Sequence, residues 1–122
     1  GVVYCDITGL KKVNDEQGHE AGDRLIIRAC ECLAGVFKGY GLYRIGGDEF
    51  LVLCLGIEEK DLREHVEKLR MDMKEHQVTM AVGMIWKEHG PKDIDLLLNE
   101  SERLMYEDKD RYYKEHGLKR RR

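Results

Sequence analysis

The chain has 122 residues, 42% of them hydrophobic and 37% charged, with a formal net charge of −3. That describes one globular α/β domain large enough for a real core. It excludes recruitment of nucleic acid by bulk positive charge, and no apolar run nears the roughly 20 residues of a membrane span.

In chain order, Val2–Ile7 reads as a buried strand that ends in an acid, Asp6. Leu10 to about Glu16 predicts a short helix broken at Gly18. From about Asp23 to Phe37 the apolar positions Leu25, Ile26, Ala29, Cys30, Leu33 and Phe37 recur at helical spacing, and Gly39 and Gly41 end that helix. Residues 40–55 form two strand-like runs about the pair Gly46-Gly47, a β-hairpin with Asp48 and Glu49 at its tip. Glu58 to His76 predicts an amphipathic helix with Leu62, Val66, Leu69 and Met73 inward. Residues 78–86 read as a strand, followed by a Gly90-Pro91 breaker. Asp93 to about Tyr113 is a last helix with Ile94, Leu97, Leu98, Leu104 and Met105 inward.

Cys5, Cys30, Cys32 and Cys54 form no CxxC pair and sit near no histidine at zinc-ligand spacing, so they read as thiols of a reducing cytosol, three of them in the core. No signal peptide is recognisable, so a cytoplasmic location without membrane contact by this domain is expected. The domain is taken as residues 1–118 with a basic tail over 119–122. The abrupt start in a strand suggests a domain cut from a longer protein, or one trimmed at its N-terminus.

The order β, α, α, β, β, α, β, α predicts a ferredoxin-like α/β (α+β) fold. Its central, mostly antiparallel sheet is flanked by helices, expected to cross one face. The palm of many nucleotidyl-transferring enzymes is built this way, an analogy of fold alone.

If the first strand lies beside the hairpin, Asp6 and Asp48 converge at one end of the sheet. Two such carboxylates repel, and a hard divalent cation relieves that. Mg²⁺ suits the place because it accepts a few carboxylates and keeps positions for phosphate oxygens. A glycine turn that bares backbone amides beside Asp48-Glu49 suits a metal-bound triphosphate. Between residues 6 and 23, Asn14 and Asp23 offer what a guanine edge asks for, an amide that accepts and donates and a carboxylate that takes two N–H donors. The plain alternative is that Asn14 caps a turn and Asp23 N-caps the next helix. Lys11 reaches a phosphate or is a solvated helix residue.

These segments together resemble the GGDEF domain family of diguanylate cyclases over nearly the whole chain. The resemblance rests on Gly46-Gly47-Asp48-Glu49-Phe50; on Asp6 followed by Lys11, Asn14-Asp15, Gly18-His19 and Gly22-Asp23; on Val78–Gly83; and on Leu104–Lys109. It implies condensation of two GTP into cyclic di-GMP with release of two pyrophosphates. It further implies Mg²⁺ (or Mn²⁺) held by Asp6, Asp48 and the Ile7 carbonyl. Glu49 would bind metal or help deprotonate the ribose 3′-hydroxyl. Gly46 and Gly47 would let the backbone approach the phosphates, Asn14 and Asp23 would read guanine, and Lys11 and Lys109 would neutralise the triphosphate. Each 3′-hydroxyl must attack the other nucleotide, so a two-fold homodimer is implied. In the family the dimer handle comes from fused sensory or regulatory domains.

The chain departs from the family pattern in places. Thr8 stands where a second acid is frequent, and Tyr113 where an arginine is. Phe37-Lys38-Gly39-Tyr40 replace the Arg-x-x-Asp of the inhibitory product site, so feedback through that site is expected to be absent. The helix that usually precedes the first strand is missing. The departures motivate a second reading, a non-catalytic GTP-binding module of a larger signalling protein. A third, a cyclase for a mixed or different cyclic nucleotide, is disfavoured by Asp23.

Overall fold

A computed structural model describes residues 1–90 and 93–117. Eight elements follow one another as β1 (Val2–Ile7), α1 (Leu10–Gln17), α2 (His19–Val36), β2 (Gly41–Arg44), β3 (Glu49–Leu53), α3 (Glu59–Glu75), β4 (Met80–Ile85) and α4 (Ile94–Glu115). The strands form one sheet in the order β2-β3-β1-β4, and every neighbouring pair is antiparallel. The expected order of elements and the antiparallel sheet both hold.

The helices occupy both faces of the sheet, not one. Val3, Cys5 and Ile7 of β1 pack with Phe50, Val52, Val82, the inner residues of α2 and α3, among them Leu33, Leu62 and Leu69, and Phe37 just past α2. Val2 and Tyr4, of opposite parity, pack with Leu51, Ala81, Ile85 and the α4 residues Leu97 and Met105. This explains why all six residues of β1 are buried and why its sequence reads as an apolar run rather than an alternation. Fully burying a side chain such as Phe50 or Leu62 contributes about 1.5–3 kcal/mol, and the two layers together supply the core.

Local sequence sets most helix ends. Asp93 caps α4 by accepting from the Asp95 amide at 2.9 Å. Glu59 and Asp61 in the first turn of α3, with Lys74 in its last, complement the helix dipole. Gly9 and Gly18, with φ of 79° and 88°, turn the chain into α1 and α2.

Several boundaries differ from the expectation. α2 begins four residues before Asp23, with Gly18 as its N-cap, so Asp23 lies inside the helix and caps nothing. Both hairpin strands are shorter than residues 40–55, and Leu55 lies outside β3 at 89% exposure. Ile94, expected inward, is half exposed as the first residue of α4. Pro91, the domain boundary at 118 and the basic tail lie outside the described residues. Cys5, Cys32 and Cys54 are buried, Cys30 partly so, and all four are free thiols. Burial pushes Cys5 up to about 12 and Cys54 up to about 11, so both stay protonated and inert.

Candidate functional site

The C-terminal end of β1 is the meeting point. Asp6 pairs in register with Glu49 of β3 on one side and Ala81 of β4 on the other. The Ile7 amide donates to the Asp48 carbonyl at 2.8 Å, which fixes the residue just before β3 against the end of β1. Period two places Tyr4 and Asp6 on the face that α4 covers. From that helix Lys109 reaches back to Asp6, Nζ to Oδ2 at 3.1 Å, with both side chains largely buried.

Asp6 is only 5% exposed. Desolvation, then the neighbouring Asp48 carboxylate, push its pKa up to about 6, and Lys109 opposes this without cancelling it. Its second oxygen, Oδ1, is buried with no hydrogen-bond partner among the described residues. A buried acceptor without a donor costs free energy unless a ligand supplies one.

Glu49 is held by a contact that the sequence reading missed. The Tyr4 hydroxyl lies between Glu49 Oε2 and, at 2.9 Å, Oε2 of Glu102 on α4. One hydroxyl donates one hydrogen, so it can serve only one of the two carboxylates at a time. Burial first, then these two acids, raise the Tyr4 pKa, and the phenol remains neutral. The signal available in the sequence was the spacing: a tyrosine two residues before Asp6 on a strand must share its face.

These residues line a cleft of about 1350 Å³ whose wall includes Asp6, Ile7, Lys11, Asp48, Glu49 and Lys109. Lys12, Thr79, Tyr106 and Tyr112 line it too and were not anticipated. Tyr113, where the pattern often has arginine, is also on this wall. Asn14 and Asp23 are not among the lining residues. The Asn14 carboxamide instead sits against Gly22, where a Cβ would come within 1.7 Å of its Oδ1. Gly22 is therefore a notch in α2 that seats Asn14 beside the neighbour of Asp23.

The hairpin turn is braced from β2. Arg44 donates to the carbonyls of Gly46 at 3.2 Å and Gly47 at 2.7 Å. Neither glycine has a positive φ, and a Cβ at Gly47 would meet nothing within 4 Å. The fold itself therefore asks for no glycine at Gly47, and the open space beside it is available to a ligand.

The domain is thus a four-stranded antiparallel α/β unit with a carboxylate pair, a lysine and a glycine turn gathered at one end of its sheet. The family model for the diguanylate cyclase GGDEF domain matches residues 1–114, and the chain belongs to that family. It is 31% identical over 119 residues to the bifunctional diguanylate cyclase/cyclic di-GMP phosphodiesterase MucR of Pseudomonas aeruginosa, covering 89% of this chain and 17% of that protein. It is 32% identical to the cyclic di-GMP phosphodiesterase PdeR of Escherichia coli, covering 90% of this chain and 18% of that protein. The chain thus spans under a fifth of the length of both relatives. Its fold is similar to the active GGEEF domain of a diguanylate cyclase from Vibrio cholerae, with a TM-score of 0.80, 24% identity, and 90% and 76% of the two chains covered. No helix among the described residues is long and apolar enough to cross a membrane.

A divalent cation is the group such a family implies. No cluster of three or more His, Cys, Asp or Glu side chains is present among the described residues, so a closed protein cage is not available. The residues fit an ion that keeps open positions. Two carboxylates converge, one with an orphaned buried oxygen, and a lysine ammonium already supplies positive charge to the pair.

Because the folded state raises the proton affinity of Asp6, its contribution to the stability of the metal-free protein is fully present below pH 3.8. That contribution is lost as pH rises through about 6. A cation bound to ionised Asp6 would offset this loss. The rise in Tm on adding Mg²⁺ is therefore expected to be larger at about pH 8 than at about pH 5, measured by calorimetry. An equal rise at both values would remove Asp6 from the metal site.

Proposed function

We propose that this domain condenses two GTP molecules into cyclic di-GMP, each of two facing domains holding one GTP. The observation that carries the reading is the convergence of Asp6, Asp48 and Lys109 on the cleft wall that also holds Glu49. In each half-reaction a ribose 3′-oxygen bonds to the α-phosphorus of the other nucleotide. The bond from that phosphorus to the bridging oxygen of pyrophosphate breaks, and the 3′-hydroxyl proton goes to Glu49.

Asp6, Asp48 and the Ile7 carbonyl would hold Mg²⁺ or Mn²⁺, which when bound supplies charge stabilisation at the triphosphate. Tyr4 orients Glu49, and Arg44 keeps the Gly46-Gly47 turn open so that phosphates approach its backbone. Lys11 and Lys109 neutralise the triphosphate. Asn14, steered by Gly22, and Asp23 read the guanine edge. Attack at an α-phosphate is mostly positioning and charge stabilisation, which this set can provide.

The reading is tested by mass spectrometry of products after incubating concentrated protein with GTP and Mg²⁺. Cyclic di-GMP is the expected product, and bound but unchanged GTP would reject the cyclase. Because two domains must meet, the initial rate is expected to rise with the square of enzyme concentration when dilute. A linear rise would mean that a stable dimer forms first or that one domain suffices. In the whole protein, fused sensory or regulatory domains would set that encounter, consistent with the greater length of the relatives.

The second reading, a GTP-binding module that signals without turnover, is favoured by one observation. A relative at 32% identity over nearly the whole chain bears the name of a phosphodiesterase alone.

A further inference from the structure

A second, smaller cleft lies between α1, the first half of α2 and the residues leading into β4. Its volume is about 240 Å³, and its polar wall is made by Thr8, Gln17, Arg24, Arg28, Gln77 and Thr79. No carboxylate lines it, although the chain as a whole is acidic. Arg24 and Arg28 stand one turn apart on α2, and neither forms an ion pair with any described residue. The Nε of Arg28 is buried with no acceptor in reach. A guanidinium N–H taken out of water needs an acceptor, and an anion provides one.

The backbone points the same way. Gln77, with φ of 55°, is the one non-glycine among the described residues in the left-handed region. It closes α3 through the Gln77 amide to Lys74 and the Val78 amide to Met73, a position at which glycine is the usual residue. A glutamine held there at a cost in backbone energy lines the cleft.

We propose that this cleft binds a small phosphoanion, phosphate or pyrophosphate, between the guanidinium groups of Arg24 and Arg28. Its volume lies below the roughly 300 Å³ at which pockets for drug-sized ligands begin, so the site takes a small anion and not a nucleotide. Thr8 and Thr79 line both clefts, and the Thr8 amide donates to the Thr79 carbonyl at 2.8 Å. The anion site thus borders the larger cleft. Under the cyclase reading, pyrophosphate released there is a local source, but anion binding does not depend on that reading.

The test is an NMR titration of ¹⁵N-labelled protein with inorganic phosphate and, separately, pyrophosphate. No divalent cation is added, and chloride holds the ionic strength constant. Saturable shifts of the Arg28 Nε–H and the Thr79 amide are expected. Arg28→Gln should weaken both anions about tenfold or more, with the amides of Val3 and Val52 unmoved as a check on folding. Arg24→Gln, a change at an exposed side chain that leaves the core untouched, should weaken them by a smaller factor. Tighter binding of pyrophosphate would support the site with the reaction product as its source; equal binding would support it with free phosphate as the source. Linear shifts, shifts confined to Gly47 and Lys109, or affinity unchanged in both variants would overturn the proposal.

Discussion

Asp48→Ala is expected to lower the formation of cyclic di-GMP by about a thousandfold or more at saturating GTP. The substitution removes one of the two carboxylates that converge at the end of β1. It leaves the Asp48 carbonyl free to accept from Ile7, so the join between β1 and the hairpin survives. It also removes the like charge that helps to raise the Asp6 pKa, so the metal-free variant should be no less stable than the parent near neutral pH. Loss of turnover would then report chemistry and not unfolding, and the Mg²⁺-dependent rise in Tm should vanish with it. Glu49→Gln separates the roles: turnover should fall steeply while the Mg²⁺ effect on Tm persists. A loss of turnover smaller than about tenfold in Asp48→Ala would sink the assignment of this residue.

The second large effect is structural. A Cβ added at Gly83 would lie 2.3 Å from the Met105 amide nitrogen and 2.3 Å from the Ser101 carbonyl oxygen. Both are backbone atoms of α4, so no side-chain rotation relieves the clash. Gly83→Ala is therefore expected to cost about 3–5 kcal/mol, a large share of the roughly 5–15 kcal/mol that holds a domain together. Urea unfolding followed by circular dichroism measures it. A cost below about 1 kcal/mol would mean that α4 does not ride directly on β4. Should the variant remain folded, α4 must lift, and Lys109 would lose its 3.1 Å contact with Asp6.

Both effects bear on what the sequence reveals. Element order and type were legible because apolar spacing is strong in α3 and α4 and because glycines punctuate the ends of α1, α2 and the hairpin. The start of α2 was not legible. Its first turn, His19-Glu20-Ala21-Gly22, carries no apolar stripe, and Gly22 in it is a packing notch for Asn14. The two-faced covering of the sheet was hidden for a similar reason. A strand buried on both sides shows no alternation, and only the later placement of α4 tells which layer each residue joins. In the candidate site, the convergence of Asp6 and Asp48 was legible from the strand pattern, and Lys109 entered only through the family resemblance. The anchoring of Glu49 by Tyr4 and Glu102 was not legible, because 98 positions separate Tyr4 from Glu102 along the chain.

The contact of Lys109 with Asp6 spans 103 positions. Such long-range pairings close large loops at an entropic cost. A chain emerging from the ribosome can pair β1 with β3 and bring its acids together well before α4 exists to balance them. Until that helix docks, the end of β1 is a point of electrostatic repulsion in an otherwise finished sheet. Docking of α4 thus relieves it, and a domain in which that helix has not docked has the acids but not the lysine.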